Sequence, residues 1–442
     1  MKKICFVTTV SATLSAFLTE FAAYLHESGE WDVTFICNTD EEFAKGLPEY
    51  IRYIPVPMKR GVSFDGLRVS ARLKKIFWAE KFDIVQYATP NAALYASGAA
   101  KRAGVPVRLY TQWGIRYMGF EGWRRLLFKA LEKRVCKNST RIEPESFGIR
   151  DFAVSEGLYA PERAEVIGHG SACGVNLDKY DISKRDIWRS EMRGRLGFAD
   201  GDTVFGFAAR LCRDKGINEL LAAFCEARET LAATAGADGD LDVTAAVDNV
   251  RDTAAADDND TDRDDTAEND RAGNEKADSA PCRTDVRKRG GIKLLVMGGV
   301  DDEASLDKEL FARARDCGDV IFTGRVGEMM KYYSALDVFV SPSWREGFGL
   351  VLTEAQAMGT PVIATDVPGQ IDAFVPGETG LPVALRDTDA LREAIVKMYS
   401  DGEMRRRMGE AARRFAAENF EQKALFALLE RSRADAVRTA RK

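Results

Sequence analysis

The residues best suited to chemistry lie in one continuous stretch, Leu336 to Asp372, which reads LDVFVSPSWREGFGLVLTEAQAMGTPVIATDVPGQID. It holds two glutamates eight positions apart, Glu346 and Glu354, and Gly347 and Gly349 follow the first of them. Glycines let a backbone approach a ligand closely, and the free amides at a helix N-terminus suit phosphate or sugar oxygens. The stretch is therefore expected to bind such oxygens. Glu354 lies about one helical turn beyond Leu350, so its carboxylate is placed to hold ribose hydroxyls.

Three elements must position these groups. A buried strand is predicted to end at Ser341, a loop holds Glu346, and a helix carries Glu354 and stops at Gly359, as a C-terminal glycine favours. Ligands of open α/β sheets bind at the carboxyl ends of the strands. The loop after Ser341 lies at such an end.

Strand-like and helix-like segments alternate through both halves of the chain. The predicted strands are Ile4–Thr9, Val33–Cys37, Asp83–Tyr87 and Val107–Thr111 in the first half, and Val204–Ala208, Lys293–Met297, Val320–Phe322, Val338–Ser341 and Pro361–Ala364 in the second. After the first strand, apolar residues recur at helical spacing, at Phe17, Phe21, Tyr24 and Leu25. Further helices are predicted over Asn91–Ala103 and from Asn218 to about Glu229. This alternation predicts two doubly wound parallel sheets in tandem, joined between Gly168 and Gly201.

Bulk properties bound the class of protein. The chain has 442 residues, 45% hydrophobic and 30% charged, which fits two globular domains. No apolar run approaches the ~18 residues that span a bilayer, and the first residues favour a buried strand over a signal peptide. Eight scattered cysteines without a CxxC pair fit a reducing cytoplasm, and two histidines exclude chemistry that needs a histidine cluster. No metal site, cofactor or nucleic-acid partner is expected.

The segment 231–290 interrupts the alternation. It holds 16 acidic and 8 basic residues and no aromatic residue, so the rest of the chain is slightly basic. Such a segment cannot bury enough apolar surface to offset its ordering entropy, and it is predicted to be a disordered insert. Strings such as Asp262-Arg-Asp264 arise by chance among 14 aspartates and do not indicate a metal site.

Several segments together resemble one enzyme family. EGFGLVLTE followed by AQAMGTPVIAT resembles the signature of family 4 retaining glycosyltransferases of the GT-B fold. ARLCRDKGINELLAAF (209–224) is similar to the phosphate-binding segment of that family, and LLVMGG (294–299) and IFTGRV (321–326) are similar to its next two strand ends. GVNLDKYDI (174–182) resembles its interdomain linker. The resemblance covers nearly the whole chain except the acidic insert.

This resemblance implies a domain layout and a set of site residues. The layout is an acceptor-binding Rossmann-like domain over 1–172, a nucleotide-sugar-binding one over 173–400, and C-terminal helices over 401–442 that pack back on the first. Arg210, Lys215 and Glu346 are implied to be catalytic: fixed cations stabilise the leaving diphosphate, and Glu346 positions the sugar. The implied donor-binding residues are Gly347, Phe348, Gly349, Leu350, Glu354, Gly298 and Val326.

The first domain departs from the family pattern. Many relatives carry a histidine in a T-x-H-G-like string, whereas this chain reads Thr111-Gln112-Trp113-Gly114. The departure puts any histidine contact with the donor sugar in doubt. Ser11 and Thr13 follow the first strand where a glycine-rich loop is common, and helix capping is favoured for them over acceptor binding. Ser11, Thr13, Trp113 and Arg116 are the candidate acceptor-binding residues.

Residues 119–137, GFEGWRRLLFKALEKRVCK, are basic and amphipathic. Packing on the first sheet is favoured for this helix, and contact with an anionic membrane is the alternative.

The expected function is transfer of a sugar from a nucleotide-sugar, most simply a UDP-sugar, to a saccharide or lipid-linked saccharide in cell-surface polysaccharide synthesis. The alternatives are a GT-B phosphorylase, a nucleotide-sugar epimerase, or a non-catalytic homologue that acts as a partner subunit. The expected location is the cytoplasm, with possible attachment to the cytoplasmic face of the membrane.

Overall fold

A computed structural model describes residues 1–58, 65–237 and 290–442. Most of the 231–290 insert lies outside the described residues, and with it the prediction that the insert is disordered. Residues 231–237 are described and are helical, so the helix predicted to stop near Glu229 continues to Ala237. That part of the disorder prediction was wrong.

The first half forms a six-stranded parallel sheet in the order β3-β2-β1-β4-β5-β6. Its central strands are buried on both faces, which explains why they read as continuous apolar runs. The strands are β1 Lys2–Val7, β2 Trp31–Cys37, β3 Ile51–Pro55, β4 Ile84–Tyr87, β5 Val107–Gln112 and β6 Arg141–Pro144. The helices around it are α1 Ser11–Phe17, α2 Thr19–Glu27, α3 Glu41–Gly46, α4 Gly66–Glu80, α5 Pro90–Arg102, α6 Gly122–Asn138 and α7 Phe147–Ser155.

The second half forms another six-stranded parallel sheet, in the order β12-β11-β10-β7-β8-β9. Its strands are β7 Thr203–Ala208, β8 Ile292–Met297, β9 Val320–Gly324, β10 Val338–Ser341, β11 Val362–Thr365 and β12 Gly380–Val383. Its helices are α8 Arg185–Leu196, α9 Ile217–Ala237, α10 Lys308–Asp316, α11 Met329–Ala335, α12 Leu350–Ala357, α13 Thr388–Ser400 and α14 Gly402–Phe420.

The last helix, α15 (Gln422–Ala440), lies on the first sheet. Its Leu425, Phe426 and Leu429 are buried with the core around β1 and β2. Arg433 Nη1 lies 2.8 Å from Glu143 Oε2, and both side chains are almost fully buried. Removing one partner of such a pair costs about 3–5 kcal/mol, because the other charge is left unpaired. The buried apolar residues and this ion pair therefore hold α15 firmly on the first domain.

The chain crosses between the two domains twice, and the two crossing segments lie side by side. The backbone amide of Val175 donates to the carbonyl of Phe420 (2.7 Å), and Gln422 donates back to Val175 (3.0 Å). Gly174 has φ +66°, and a Cβ there would lie 2.8 Å from the Phe420 carbonyl oxygen. A glycine is required at that crossing, because any side chain would push the two crossing segments apart.

The predicted fold class is confirmed: the chain is an α/β protein with two doubly wound parallel sheets. The nine predicted strands are present, with ends that differ by one or two residues. Three further strands, β3, β6 and β12, were not predicted. They lie at sheet edges, where short and partly polar sequences such as RIEP and GLPV carry a weak strand signal.

Candidate functional site

The loop between β10 and α12 carries the sequence-predicted donor motif. Gly349 precedes the helix with φ +93°, and no side chain of the described residues caps the helix N-terminus. Its first amide groups are therefore free to meet a ligand oxygen. Below the loop, Gln370 Nε2 donates to the Ser341 carbonyl (2.6 Å), which fixes the end of β10.

Lys215 and Glu346 form an ion pair in the cleft. Lys215 ends a 3₁₀ turn that follows β7, and Glu346 lies in the loop after β10. These adjacent strands are where the strand order of the second sheet reverses, the position at which open α/β sheets form a ligand crevice. Ser343 Oγ also donates to Glu346 Oε1 (2.9 Å). The topology thus brings together two predicted residues that lie 131 positions apart.

Arg210 lies further out. Its side chain is 60% exposed and pairs with Asp301 in the loop after β8. An exposed ion pair of this kind contributes little to stability, because water screens both charges. Arg210 is therefore a rim cation whose guanidinium is available to an incoming anion.

Glu354 lies in α12 beneath two tyrosines. Tyr333 Oη donates to Glu354 Oε2 (3.1 Å), and Tyr180 hydrogen-bonds the same carboxyl. Burial raises the pKa of Glu354, and the two phenol donors oppose that shift. The sequence analysis did not single out these tyrosines, which come from the linker and from α11. The ribose contact assigned to Glu354 stays a prediction.

The other predicted donor residues differ in what they present to the cleft. Phe348 is 3% exposed and packs edge-on against Phe420 at 5.2 Å, so its ring belongs to the core. Only the backbone around it is left for a ligand. Gly298 has φ +155°, and a Cβ there would lie 1.8 Å from the Ala209 carbonyl oxygen. Leu350 and Val326 are partly buried and pack against the core of the second sheet.

On the first-domain side, the expected capping by Ser11 and Thr13 was wrong. The residue before α1 is Val10, and no side chain in the described ranges caps that helix. Ser11 Oγ instead donates to Asp40 Oδ2 (2.5 Å), tying α1 to the start of α3. Ser11 is already inside the first helical turn, one position too late to act as the cap.

Trp113 and Arg116 both contact aromatic rings. The Trp113 indole lies 5.1 Å from the Phe17 ring and packs on the core around α1 and α2. The Arg116 guanidinium lies over the rings of Phe120 and Phe128, at 5.8 and 5.3 Å. An acceptor contact for either residue stays a prediction.

Glu145, which the sequence analysis missed, follows β6 and enters the cleft opposite the donor loop. A Cβ built on Gly347 would lie 1.7 Å from Glu145 Oε1 and 2.8 Å from the Gly114 amide nitrogen. Burial raises the pKa of Glu145 to about 8, and the neighbouring Glu346 adds to that effect. The polar run Glu143-Pro144-Glu145-Ser146 gave no signal by itself, because the strand β6 that it ends was not predicted.

The two domains touch through the segment that follows β6 in the first domain and the segments that follow β10 and β11 in the second. Ser146 Oγ donates to the Gly347 carbonyl (2.8 Å), and the Gly148 amide donates to Asp372 Oδ2 (2.7 Å). The carboxyl edges of the two sheets therefore face each other across a closed cleft.

Comparisons with known proteins agree with this geometry. Residues 284–415 match the family described as glycosyl transferases group 1, and residues 3–146 match the glycosyl transferase 4-like family. The capsular polysaccharide biosynthesis glycosyltransferase CapM of Staphylococcus aureus is 26% identical over 396 residues, covering 89% of this chain and 88% of CapM. The putative glycosyltransferase EpsD of Bacillus subtilis (strain 168) is 24% identical, covering 94% and 92%.

Solved structures share the fold. HepE of Anabaena, in complex with UDP and glucose, superposes with a TM-score of 0.69 at 16% identity, over 98% of this chain and all of HepE. WaaG, a glycosyltransferase involved in lipopolysaccharide biosynthesis, gives a TM-score of 0.65 at 16% identity, over 98% of each chain. The chain therefore belongs to the GT-B glycosyltransferases of the group 1, family 4 type.

Within the described residues, no helix is long and apolar enough to cross a membrane.

Proposed function

We propose that this enzyme transfers a sugar, with retention of anomeric configuration, from a UDP-sugar to a saccharide or lipid-linked saccharide. The observation that carries the proposal is the Lys215–Glu346 ion pair at the strand-order reversal, beside the uncapped N-terminus of α12. A diphosphate and its sugar bound there would meet a cation, free amides and a carboxylate together.

The leaving diphosphate is the centre of the proposed chemistry. As the bond between the anomeric carbon and the diphosphate breaks, its electron pair passes to the phosphate oxygen, where Lys215 and Arg210 stabilise the charge. The acceptor hydroxyl attacks from the face that the diphosphate leaves, and its proton passes to the departing phosphate oxygen. Glu346 positions the sugar hydroxyls and stabilises the positive charge that develops on the ring. No metal ion is required in this scheme.

The comparisons support the choice of donor and pathway. The HepE structures contain UDP and glucose or UDP-glucose, and CapM and EpsD span nearly the whole chain. A UDP-hexose and a growing surface polysaccharide are the simplest substrates for a protein with these relatives.

Thermal-shift measurements against UDP-, GDP- and ADP-sugars test the donor class. A UDP-sugar should raise the melting temperature most, equally with Mg²⁺ and with EDTA. Retention is tested by NMR on sugar released from the same α-linked donor, which should appear first as the α-anomer. A larger shift with a GDP- or ADP-sugar would overturn the UDP assignment, and release of the β-anomer would overturn retention.

We also propose that the enzyme works at the cytoplasmic face of an anionic membrane through α6. The C-terminal half of α6 packs on the first domain through buried Glu132, Val135 and Cys136, as the favoured interpretation expected. Its first two turns leave apolar side chains in solvent: Trp123 is 69% exposed and Leu126 is 68% exposed. Exposed apolar groups on a basic helix suit an anionic lipid surface.

Vesicle co-sedimentation tests this contact. Arg125 and Lys129 are paired with Glu156, so they are poor choices for substitution. The double variant Trp123→Ser/Leu126→Ser should lose binding to vesicles that contain phosphatidylglycerol. A matched variant at Trp78, an exposed tryptophan on α4, should retain it. Binding unchanged by the α6 double variant would refute the membrane contact.

A further inference from the structure

Glu145 is an ionisable group in the cleft that neither the motif nor the proposed chemistry uses. It follows β6, at the carboxyl edge of the first sheet, and its carboxyl reaches the backbone of Gly347 in the donor loop. Among the described residues, no hydrogen-bond donor contacts the Glu145 carboxyl, whereas the neighbouring Glu143 has Ser432 and Arg433. A carboxyl that faces a cleft without a protein partner is free to bond a ligand.

The charged groups that face Glu145 do not neutralise a negative charge on its carboxyl. From the second domain it faces Glu346, whose partner is Lys215, and from the linker it faces the Cys173 thiol. The buried Arg433 lines the same narrow cavity but is committed to Glu143. Burial and the Glu346 charge hold the pKa of Glu145 at about 8, so the group is mostly a neutral acid at pH 7. A neutral acid can donate a hydrogen bond beside an anionic diphosphate without repelling it.

We propose that Glu145 is the first domain's polar contact with the sugar that is transferred, donating a hydrogen bond to one of its hydroxyls. The position suits this role, because the Glu145 carboxyl touches the donor loop at Gly347, so a sugar bound against Glu346 would lie beside that carboxyl. Trp113, which stands where relatives carry a histidine, packs on Phe17, so the Glu145 carboxyl, at the end of the adjacent strand β6, supplies the contact. This inference rests on the proposed donor site.

Isothermal titration calorimetry on the full chain provides the test. UDP-glucose, UDP-galactose, UDP-N-acetylglucosamine and GDP-mannose are compared first, and the best-bound sugar nucleotide is then paired with its own nucleoside diphosphate. At pH 7, Glu145→Ala should weaken the sugar nucleotide about fivefold to tenfold, the value of one lost hydrogen bond. It should leave the nucleoside diphosphate within about twofold, because Glu145 touches only the sugar.

Glu145→Gln separates this role from a structural one. The amide still donates, so affinity at pH 7 should be close to that of the wild type. The wild type should lose sugar-nucleotide affinity between pH 7 and pH 9, as Glu145 ionises beside Glu346, whereas Glu145→Gln should not. Glu165→Gln, which removes an exposed carboxyl of the same domain, should behave as the wild type at both pH values.

The outcomes distinguish the inference from the proposed function. If Glu145→Ala weakens sugar nucleotide and nucleoside diphosphate equally, or weakens neither, the assignment of Glu145 is wrong and the donor site stands. An unchanged pH dependence in Glu145→Gln also overturns it. If the wild type binds no nucleotide of the panel, the proposed function itself fails.

Discussion

The two sides of the cleft are built differently. On the second-domain side, the polar groups are already paired: Lys215 with Glu346, Arg210 with Asp301, and Glu354 with Tyr333. On the first-domain side, Glu145 has no partner within the described part of the chain, and Trp113 presents an aromatic ring.

The difference indicates how each side would meet its ligand. A paired site is preorganised, because its charged groups are held in place before a substrate arrives and little reorganisation is needed. An unpaired carboxyl such as Glu145 costs free energy until a substrate supplies the missing partner. The donor side is therefore expected to depend on charge, and the first-domain side on hydrogen bonding and cleft closure.

Loss of Lys215, the less exposed of the two cations, should give the largest effect. Lys215→Ala removes the positive charge at the proposed site of the leaving diphosphate and leaves Glu346 facing Glu145, so we expect turnover to fall by about 100-fold or more. Arg210→Ala should cost about tenfold, because that cation is exposed and screened. Release of nucleoside diphosphate from the best-bound sugar nucleotide measures both.

Lys2→Ala is the matched control for these cations. Lys2 is 26% exposed, against 19% for Lys215, and pairs with Glu30 at the amino end of β1, on the far edge of the sheet. Its turnover should equal that of the wild type. Near-normal turnover in both Lys215→Ala and Arg210→Ala would refute the charge-dependent donor side.

Contact between the two sides can be probed at Gly347. The Cβ of Gly347→Ala would overlap Glu145 Oε1 at 1.7 Å, so closure must be disturbed, and we expect turnover to fall by about tenfold. In a Glu145→Ala background the closest obstacle is gone, so the further loss should be smaller and the two effects non-additive.

The control for Gly347→Ala is a glycine at which an added Cβ would meet no other part of the molecule. A Cβ built on Gly194 in α8 would meet no atom within 4 Å among the described residues outside its own helix turn, so Gly194→Ala should leave turnover unchanged. Strictly additive effects of Gly347→Ala and Glu145→Ala would contradict the close approach of the two sides.

The second-domain side of the cleft could largely be predicted from the sequence, whereas the first-domain side could not. Glu346, Gly349 and Glu354 lie on one strand–loop–helix unit, so local spacing was enough to place them. The alternation of strands and helices predicted the two doubly wound sheets, and the family resemblance implied the GT-B fold. The partnership of Lys215 with Glu346 needed the strand order. Glu145 needed more, because its surroundings come from β6, the donor loop and the linker, which only the tertiary structure brings together.

The smallest effect is expected at the contact that closes the cleft. Asp372, in the second domain, accepts a hydrogen bond from the Gly148 amide in the first turn of α7 and so caps a helix of the other domain. Asp372→Ala should lower the free energy of unfolding by about 1 kcal/mol, as loss of a helix cap does. It should also weaken donor binding by at most about fivefold, since closure loses that contact.

Asp387→Ala separates closure from stability. Asp387 caps α13 within the second domain by accepting from the Ala390 amide (2.8 Å), so its loss should cost a similar unfolding free energy without touching the cleft. Small-angle X-ray scattering should show a larger radius of gyration for Asp372→Ala and an unchanged one for Asp387→Ala. Equal radii and equal donor affinities in the two variants would mean that Asp372 stabilises α7 alone, and that the two sides of the cleft close without its help.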